Sequence, residues 1–367
     1  MMDYFFFMLC LLSIINSKIK GYDQFFIDYM NIENTNCIRG IFVWLIIFLH
    51  KTPYGVEKNY LYKIILKFLG QKVVSMFFYY SGFGIYESIK KKGYNYIKFL
   101  PIKGIILFIK FQIILLIFLI TNIYILNNKI TLKRYLLSCV FISAIGNSNW
   151  FAFTIIIFYF YSYLSFIYIK NFNIGIFNIT IFCVFHSIIV YKYFYPRNIV
   201  AVDTVFCFPL GYLHSLIKIS FDDIVMKNDI RYFGITSLLI LIYYKVFYSN
   251  NILYICEKNA IFALLIVIIS MKVKINNDFL NFLGNHSYSI YLLQKIVILI
   301  VYKKQIFKNS DFIRISFELT SIFFISALFD KNIMYIEKML KKKLNNLCYQ
   351  KSISFDSKRA TYNILIK

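Results

Sequence analysis

The chain has 367 residues, of which 60% are hydrophobic and only 16% are charged, and its mean hydropathy is positive. This composition excludes an ordinary soluble globular protein, because apolar blocks of about 15 to 22 residues recur along the sequence and are long enough to cross a bilayer as helices. The blocks do not alternate in polarity as barrel strands do. The sequence therefore predicts an all-α, polytopic integral membrane protein.

The formal charge of +24 does not indicate a nucleic-acid partner. The Lys and Arg residues form short clusters between apolar blocks, a pattern typical of loops held against a membrane surface, so lipid is the expected neighbour. The seven cysteines are scattered without a C-x-x-C pair, which predicts neither a metal site nor a disulfide framework.

The first apolar block, residues 4–15, is short and has no small-residue cleavage site, so it predicts a retained N-terminal helix rather than a signal peptide. A polar connector at 19–36 follows it. The segment 132–146 is short enough to be re-entrant or interfacial. Ten core spans are predicted at about 37–51, 72–89, 101–126, 150–169, 174–191, 199–217, 231–248, 252–271, 283–302 and 311–330.

Loop charge predicts the orientation of these spans. With ten core spans, the start of the first span, the loop at 90–98 and the tail at 331–367 lie on one side of the membrane. The tail carries nine Lys or Arg residues and two acids, so this side is predicted to be the cytoplasm. Three lysines between 303 and 308 fall on the opposite side and weaken that prediction.

The stretch CIRGIFVWLIIFLH (37–50) places Arg39 and His50 in one predicted span. Eleven residues separate them, and at 100° per residue this is about 1,100°, close to three full turns, with an axial rise of about 16 Å. Arg39 is close enough to the helix start to reach the interface, and His50 with Lys51 is compatible with the far end of a short span. Ionisable groups inside spans are costly, however, and the shared face favours a functional site.

Five segments in order resemble the membrane-bound acyltransferase-3 family, the bacterial O-acyltransferases of surface polysaccharides. The Arg39-Gly40 pair followed by His50 resembles the family's R-x10-H signature. The other four segments are FFYYSGFGIYESIKKKGYNYIKF (77–99), NSNWFAFTIIIFYFYSYLSF (147–166), FCFPLGYLHS (206–215) and FLGNHSYSIYLLQ (282–294). Two departures from the family pattern are visible. The last segment ends on Gln294 instead of His, and the basic loop offers only lysines where Arg is common.

The resemblance implies that 37–330 is a membrane acyltransferase domain, preceded by the N-terminal helix with its connector (1–36) and followed by a basic cytoplasmic tail (331–367). It implies a multi-pass protein of the bacterial inner membrane. The co-substrate is acyl-CoA, usually acetyl-CoA, with no permanently bound cofactor. The acceptor is a sugar hydroxyl of a capsular, O-antigen or exopolysaccharide chain, or of a lipid-linked sugar.

The resemblance also assigns roles to residues. His50 is the expected general base on the acceptor hydroxyl, or is transiently acylated, and Arg39 is the expected donor-binding or His50-positioning cation. Ser81 and Lys103 are expected to assist in donor binding. Trp150, Asp203 and Tyr288 are expected near the acceptor or in contact with the residues that bind it.

Plainer interpretations exist for most of these residues. Ser81 with Gly82 is typical of close helix packing, and Trp150 is typical of a membrane-interface anchor. Asp203 is the most unusual acid, and it could pair with Arg197 or His214, orient His50, or cap a helix start.

Two other classes compete with the acyltransferase. A polysaccharide polymerase or lipid-linked oligosaccharide flippase is also a many-helix basic protein, but cations spread over many spans or a large external loop would then be expected. A secondary transporter predicts broken helices and internal pseudo-symmetry. The chain has four prolines and no evident repeat, so the transporter is the weakest alternative.

Overall fold

The structure, a computed structural model, describes residues 2–51, 69–169, 171–194, 200–247 and 251–364. It is 81% helical, which confirms the all-α fold class. The helices are α1 Met2–Ile14, α2 Ile32–Lys51, α3 Lys72–Lys92, α4 Tyr94–Ile120, α5 Leu132–Cys139, α6 Trp150–Ile167, α7 Phe172–Phe194, α8 Val200–Asp203, α9 Cys207–Val225, α10 Asp229–Phe247, α11 Ile252–Lys272, α12 Asp278–Asn285, α13 Ser287–Lys303 and α14 Asp311–Ile364.

Seven helices in the described ranges are long and apolar enough to cross a membrane, which confirms a multi-pass membrane protein. They are α2, α4 with the π turn that follows it, α6, α7, α10, α11 and the first 29 residues of α14. The remaining predicted spans correspond to α3, α8 with α9, and α12 with α13. Of these, α3 and α9 pack against each other, and α13 packs on α2.

Several predicted boundaries were wrong. The connector predicted at 19–36 ends earlier, because α2 begins at Ile32 and takes in the sequence up to Asn36. The side chain of Asn31 accepts a hydrogen bond from the backbone N–H of Asn34 at 2.8 Å, as a helix-capping residue does. The first turns of α2 are therefore polar, and the apolar run begins only after Arg39.

The predicted spans at 199–217 and 283–302 are each broken. The first divides into α8 and α9, and Pro209 lies in the first turn of α9, where its missing N–H leaves no helical hydrogen bond unmade. The second divides at His286 between α12 and α13. The segment 132–146 forms only the eight-residue helix α5 and turns, too short to cross a bilayer.

Two glycines bring α2 and α12 into backbone contact. A Cβ atom on Gly40 would lie 2.0 Å from the carbonyl oxygen of Leu280, and one on Gly284 would lie 2.0 Å from that of Asn36. No side chain fits at either position. The glycine after Arg39 and the glycine in FLGN thus serve the same helix crossing.

A second pair of glycines joins α3 and α9 in the same way. A Cβ atom on Gly82 would lie 2.1 Å from the carbonyl oxygen of Phe208, and one on Gly211 would lie 2.2 Å from that of Tyr79. The close packing predicted for Ser81-Gly82 is confirmed for Gly82. This crossing fixes the part of α3 that carries Ser81.

The connector between α1 and α2 is tied to two distant elements, β2 and α9. Strand β1 (Lys18–Ile19) pairs antiparallel with β2 (Val273–Lys274). The hydroxyl of Tyr29 donates to Asp222 at 2.6 Å and lies 3.1 Å from Nε2 of His214, and burial raises the pKa of Tyr29. Asp28 forms an ion pair with Lys274 at 2.6 Å, and this contact lowers the pKa of the carboxyl. The connector is therefore held in place beside α9.

Candidate functional site

A large cavity of about 850 Å³ opens beside the start of α2. This end of the molecule is called the Arg39 end below, and the opposite end of α2 is the His50 end. The cavity walls come from the connector, α2, α3, α4, α6 and α9. Its volume is within the range of about 300–1,000 Å³ that is typical of small-molecule sites.

The large cavity is rich in charge. Its cationic side chains are Arg39, Lys91, Lys92, Lys103 and Lys218, and its carboxylates are Asp28, Glu33 and Glu87. Lys274 and Lys90, outside the lining, form ion pairs with Asp28 and Glu87, and Asp222 pairs with Lys218. These pairs neutralise three of the charged lining groups, and the net charge of the remaining lining groups is positive.

A small cavity of about 150 Å³ adjoins the large one. The two cavities share three lining residues, Arg39, Ser81 and Tyr159. The other lining residues of the small cavity are mostly apolar or aromatic: Ile46, Val74, Phe77, Leu107, Phe151, Ile155, Ser287, Tyr288 and Tyr291. Arg39 therefore lies where a charged chamber meets an apolar one.

An asparagine cluster orients Arg39. Its Nη2 donates to Oδ1 of Asn36, one turn earlier in α2. The amide of Asn36 in turn donates to Asn281 at 3.0 Å and to Asn285 at 2.7 Å, both on α12. Nε of Arg39 is buried without a hydrogen-bond partner in the described structure. One nitrogen of the guanidinium group is thus held by the protein, and the group retains other N–H donors for a ligand.

The imidazole of His50 lies just beyond the small cavity. Because α2 is unbroken from Ile32 to Lys51, Arg39, Ile46 and His50 share one face, as their spacing predicts. Ile46 lines the small cavity, and the ring of Tyr291, another lining residue, is centred 6.0 Å from the His50 ring.

Two further residues of α13 surround His50. Gln294 lies beside the imidazole, and the charge of Lys295 is close to it. Nδ1 of His50 is buried and has no hydrogen-bond partner among the residues that the structure describes. Within the described structure, this ring nitrogen is therefore unpaired, and it lies beyond the small cavity. Residues 52–68, which follow α2, lie outside the described ranges.

Three more predicted site residues line the cavities. Ser81 lines both. Lys103 lines the large cavity, where its ammonium group donates to the hydroxyl of Tyr96 at 2.8 Å. Tyr288 lines the small cavity and donates to the carbonyl of Leu107 at 3.2 Å. The residues that line the two cavities include members of four of the five resembling segments, those at 37–50, 77–99, 147–166 and 282–294.

Trp150 and Asp203 lie elsewhere. Trp150 begins α6. It packs against two valines that contact each other, Val190 of α7 and Val202 of α8. Its ring is also centred 6.5 Å from that of Phe78. Trp150 lines neither described cavity, and its interpretation as a membrane-interface anchor stays a prediction.

Asp203 is 1% exposed, and its backbone carbonyl accepts a hydrogen bond from Asn259 at 2.9 Å. The carboxylate faces Gln71 and lies near Lys72 and Lys258. It is not bonded to His214, whose ring nitrogens contact the hydroxyls of Tyr29 and Tyr79. Arg197, its other predicted partner, is outside the described ranges.

Sequence reasoning missed the aromatic part of the site. Tyr80, Tyr159 and Tyr291 line the cavities, but 32 tyrosines are spread over the chain and give no local signal. Asn36 could have been found, because it lies one helical turn before Arg39. Within the described ranges, no group of three or more His, Cys, Asp or Glu side chains could hold a metal ion.

Comparisons with known proteins add no relative: no protein-family model and no curated protein matches the sequence, and no solved structure matches the fold.

Proposed function

We propose that this chain is a membrane-bound O-acyltransferase of the acyltransferase-3 kind, located in the bacterial inner membrane. It moves an acyl group, usually acetyl, from acyl-CoA to a sugar hydroxyl of a capsular, O-antigen or exopolysaccharide. The observation that carries the proposal is the position of Arg39 between a cation-rich cavity and an apolar one that ends near His50.

The two cavities suit the two ends of an acyl-CoA molecule. Arg39, Lys91, Lys92 and Lys103 provide cations for phosphate groups at the Arg39 end, where Lys acts as a point charge and Arg can bind in a bidentate manner. The apolar chamber suits the pantetheine end and its thioester. A cavity of about 150 Å³ has room for a small apolar group.

The chemistry proposed for His50 uses its Nδ1, which has no hydrogen-bond partner among the described residues. In direct transfer, the imidazole accepts the proton of the sugar hydroxyl while the hydroxyl oxygen attacks the thioester carbonyl. The carbon–sulfur bond then breaks and the CoA thiolate leaves, taking up a proton. In the alternative route, the imidazole is acylated first and the sugar oxygen then attacks the acyl-imidazole.

The first test measures ester acyl groups on the host surface polysaccharide by proton NMR, before and after mild alkali. Strains would carry the wild type, His50→Gln, Arg39→Gln or no copy. The matched control is His186→Gln, since His186 is buried between Phe153 and Phe158 and lines neither described cavity.

We expect the ester signal to vanish without the gene and to fall about tenfold or more in the His50 and Arg39 variants, because each removes a group used in transfer. The control should retain the signal, and all variants should be present in the membrane in equal amount. Unchanged acylation with shortened or missing polymer would contradict the proposal and favour a polymerase or flippase.

A further inference from the structure

A buried ion pair lies directly beside His50. The ammonium group of Lys51, the next residue of α2, is 2.5 Å from the carboxylate of Glu318 on α14, and both side chains are 0% exposed. The proposed transfer reaction uses neither residue. The pair therefore needs a separate explanation.

Stability is a weak explanation for such a pair. Removing two charges from water costs several kcal/mol per ion, and well-packed apolar replacements of buried ion pairs are often neutral or stabilising. An ion pair is more specific than an apolar contact, because it holds two particular atoms at a fixed distance. The role of this pair is therefore to set an orientation.

The geometry concerns the rotation of α2. Neighbouring residues on a helix point about 100° apart, so Lys51 is directed at α14 while His50 is directed at Tyr291 on α13. Trp44, seven residues before Lys51 and on the same face, packs on Phe323 of α14 with ring centroids 5.6 Å apart. α2 is thus held to α14 at two points along one side.

The surroundings of the pair limit its movement. Arg314 and Asp311, both on α14, form an ion pair close to it, and the Arg314 guanidinium lies 4.9 Å from the centre of the Tyr302 ring. The cluster holds two cations and two carboxylates and is neutral overall. The buried charge of Lys51 is balanced directly by that of Glu318.

We propose that the Lys51–Glu318 ion pair is the positioning element that fixes the last turn of α2 and directs the His50 imidazole toward the small cavity. This inference rests on the proposed function, in which His50 acts on the acceptor or carries the acyl group. Lys51 and Glu318 are positioning residues, since their contact with the reaction runs through His50.

The test compares four variants with the wild type in membrane vesicles supplied with acetyl-CoA and the acceptor polysaccharide. They are Glu318→Gln, the apolar pair Lys51→Met with Glu318→Leu, the reversed pair Lys51→Glu with Glu318→Lys, and a control pair. The control is Lys272→Met with Asp229→Leu, which replaces another largely buried ion pair, between α10 and α11, whose residues line neither described cavity.

We expect the apolar pair to keep its abundance and thermal stability while kcat falls about tenfold or more and the KM for acetyl-CoA stays within about twofold. The reversed pair should recover most of the lost kcat, and the control should keep it. An apolar pair with a kcat equal to that of the wild type would overturn the proposal.

A second readout does not depend on transfer activity. The rate at which diethyl pyrocarbonate modifies each histidine can be followed by mass spectrometry, with His286 as internal reference. Loss of the ion pair should change the rate at His50 about threefold or more and leave His286 unchanged, because the ring is redirected. An unchanged rate at His50 would overturn the positioning role. If the wild type shows no transfer activity but loss of the ion pair still changes the rate at His50, only the proposed function is refuted.

Discussion

Arg39 and Lys103 both face the large cavity, but the protein holds them differently. The guanidinium group is fixed by Asn36 and keeps an unpaired Nε in the described structure, whereas the ammonium group of Lys103 is bonded to Tyr96 and lies 4.4 Å from the centre of its ring. A ligand phosphate has to compete with Tyr96 for Lys103. In the proposed donor site, Arg39 is therefore expected to be the stronger anchor, with Lys103 assisting it.

Lys103→Gln should raise the KM for acyl-CoA about threefold to tenfold and change kcat little, because it removes one point charge from the donor site. The effect should shrink at high salt, where charges that face solvent are screened. Initial rates at varied acyl-CoA concentration measure both effects. Lys98→Gln is the matched control, since Lys98 lies on the same helix but does not line the large cavity. Equal effects of the two substitutions would refute a specific role for Lys103.

At the level of helices, two backbone crossings set the geometry of the site. The α2–α12 crossing places Asn36 within reach of Asn281 and Asn285 and so fixes Arg39. The α3–α9 crossing places Ser81 at the boundary of the two cavities. Small residues allow such close approaches in membranes, where packing rather than the hydrophobic effect joins helices.

Two glycines of α3 provide a direct test of the second crossing. Gly82→Ala places a Cβ atom against the backbone of α9, so it should lower the thermal stability of the detergent-solubilised protein, with a cost of about 1–3 kcal/mol typical of overpacking. Gly84→Ala meets nothing within 4 Å and should be neutral or slightly stabilising, because alanine favours helices. Equal melting temperatures for the two variants would argue against the crossing.

For the whole molecule, the two ends of the bundle differ in charge and in chemistry. The charged cavity with Lys91 and Lys92 opens at the Arg39 end, and α14 continues from its apolar part into the basic tail. Lys303 and Lys304 lie at the opposite end, where α13 ends. Donor binding at the Arg39 end requires that this end face the cytoplasm, as the tail charge predicts.

Cysteine labelling in intact cells can establish this orientation. We expect a membrane-impermeant maleimide to label Lys304→Cys in intact cells and to label Lys92→Cys only after permeabilisation, because both lysines are exposed but lie at opposite ends. The wild type, with its native cysteines, supplies the background signal. The reverse pattern would invert the topology and exclude acyl-CoA from the large cavity.

The sequence alone determined the fold class and the pairing of Arg39 with His50 on one helix face. Both follow from local rules, since long apolar blocks must be helical in a membrane and helical spacing fixes direction along one segment. The approach of Ser81, Lys103 and Tyr288 to Arg39 was predicted only through the resemblance. Only the tertiary structure revealed the asparagine cluster, the tyrosines of the cavities and the partner of Lys51, and it separated Asp203 from His214. These contacts join residues far apart in the chain, and their positions depend on which helices cross and at what angle, information that no single segment contains.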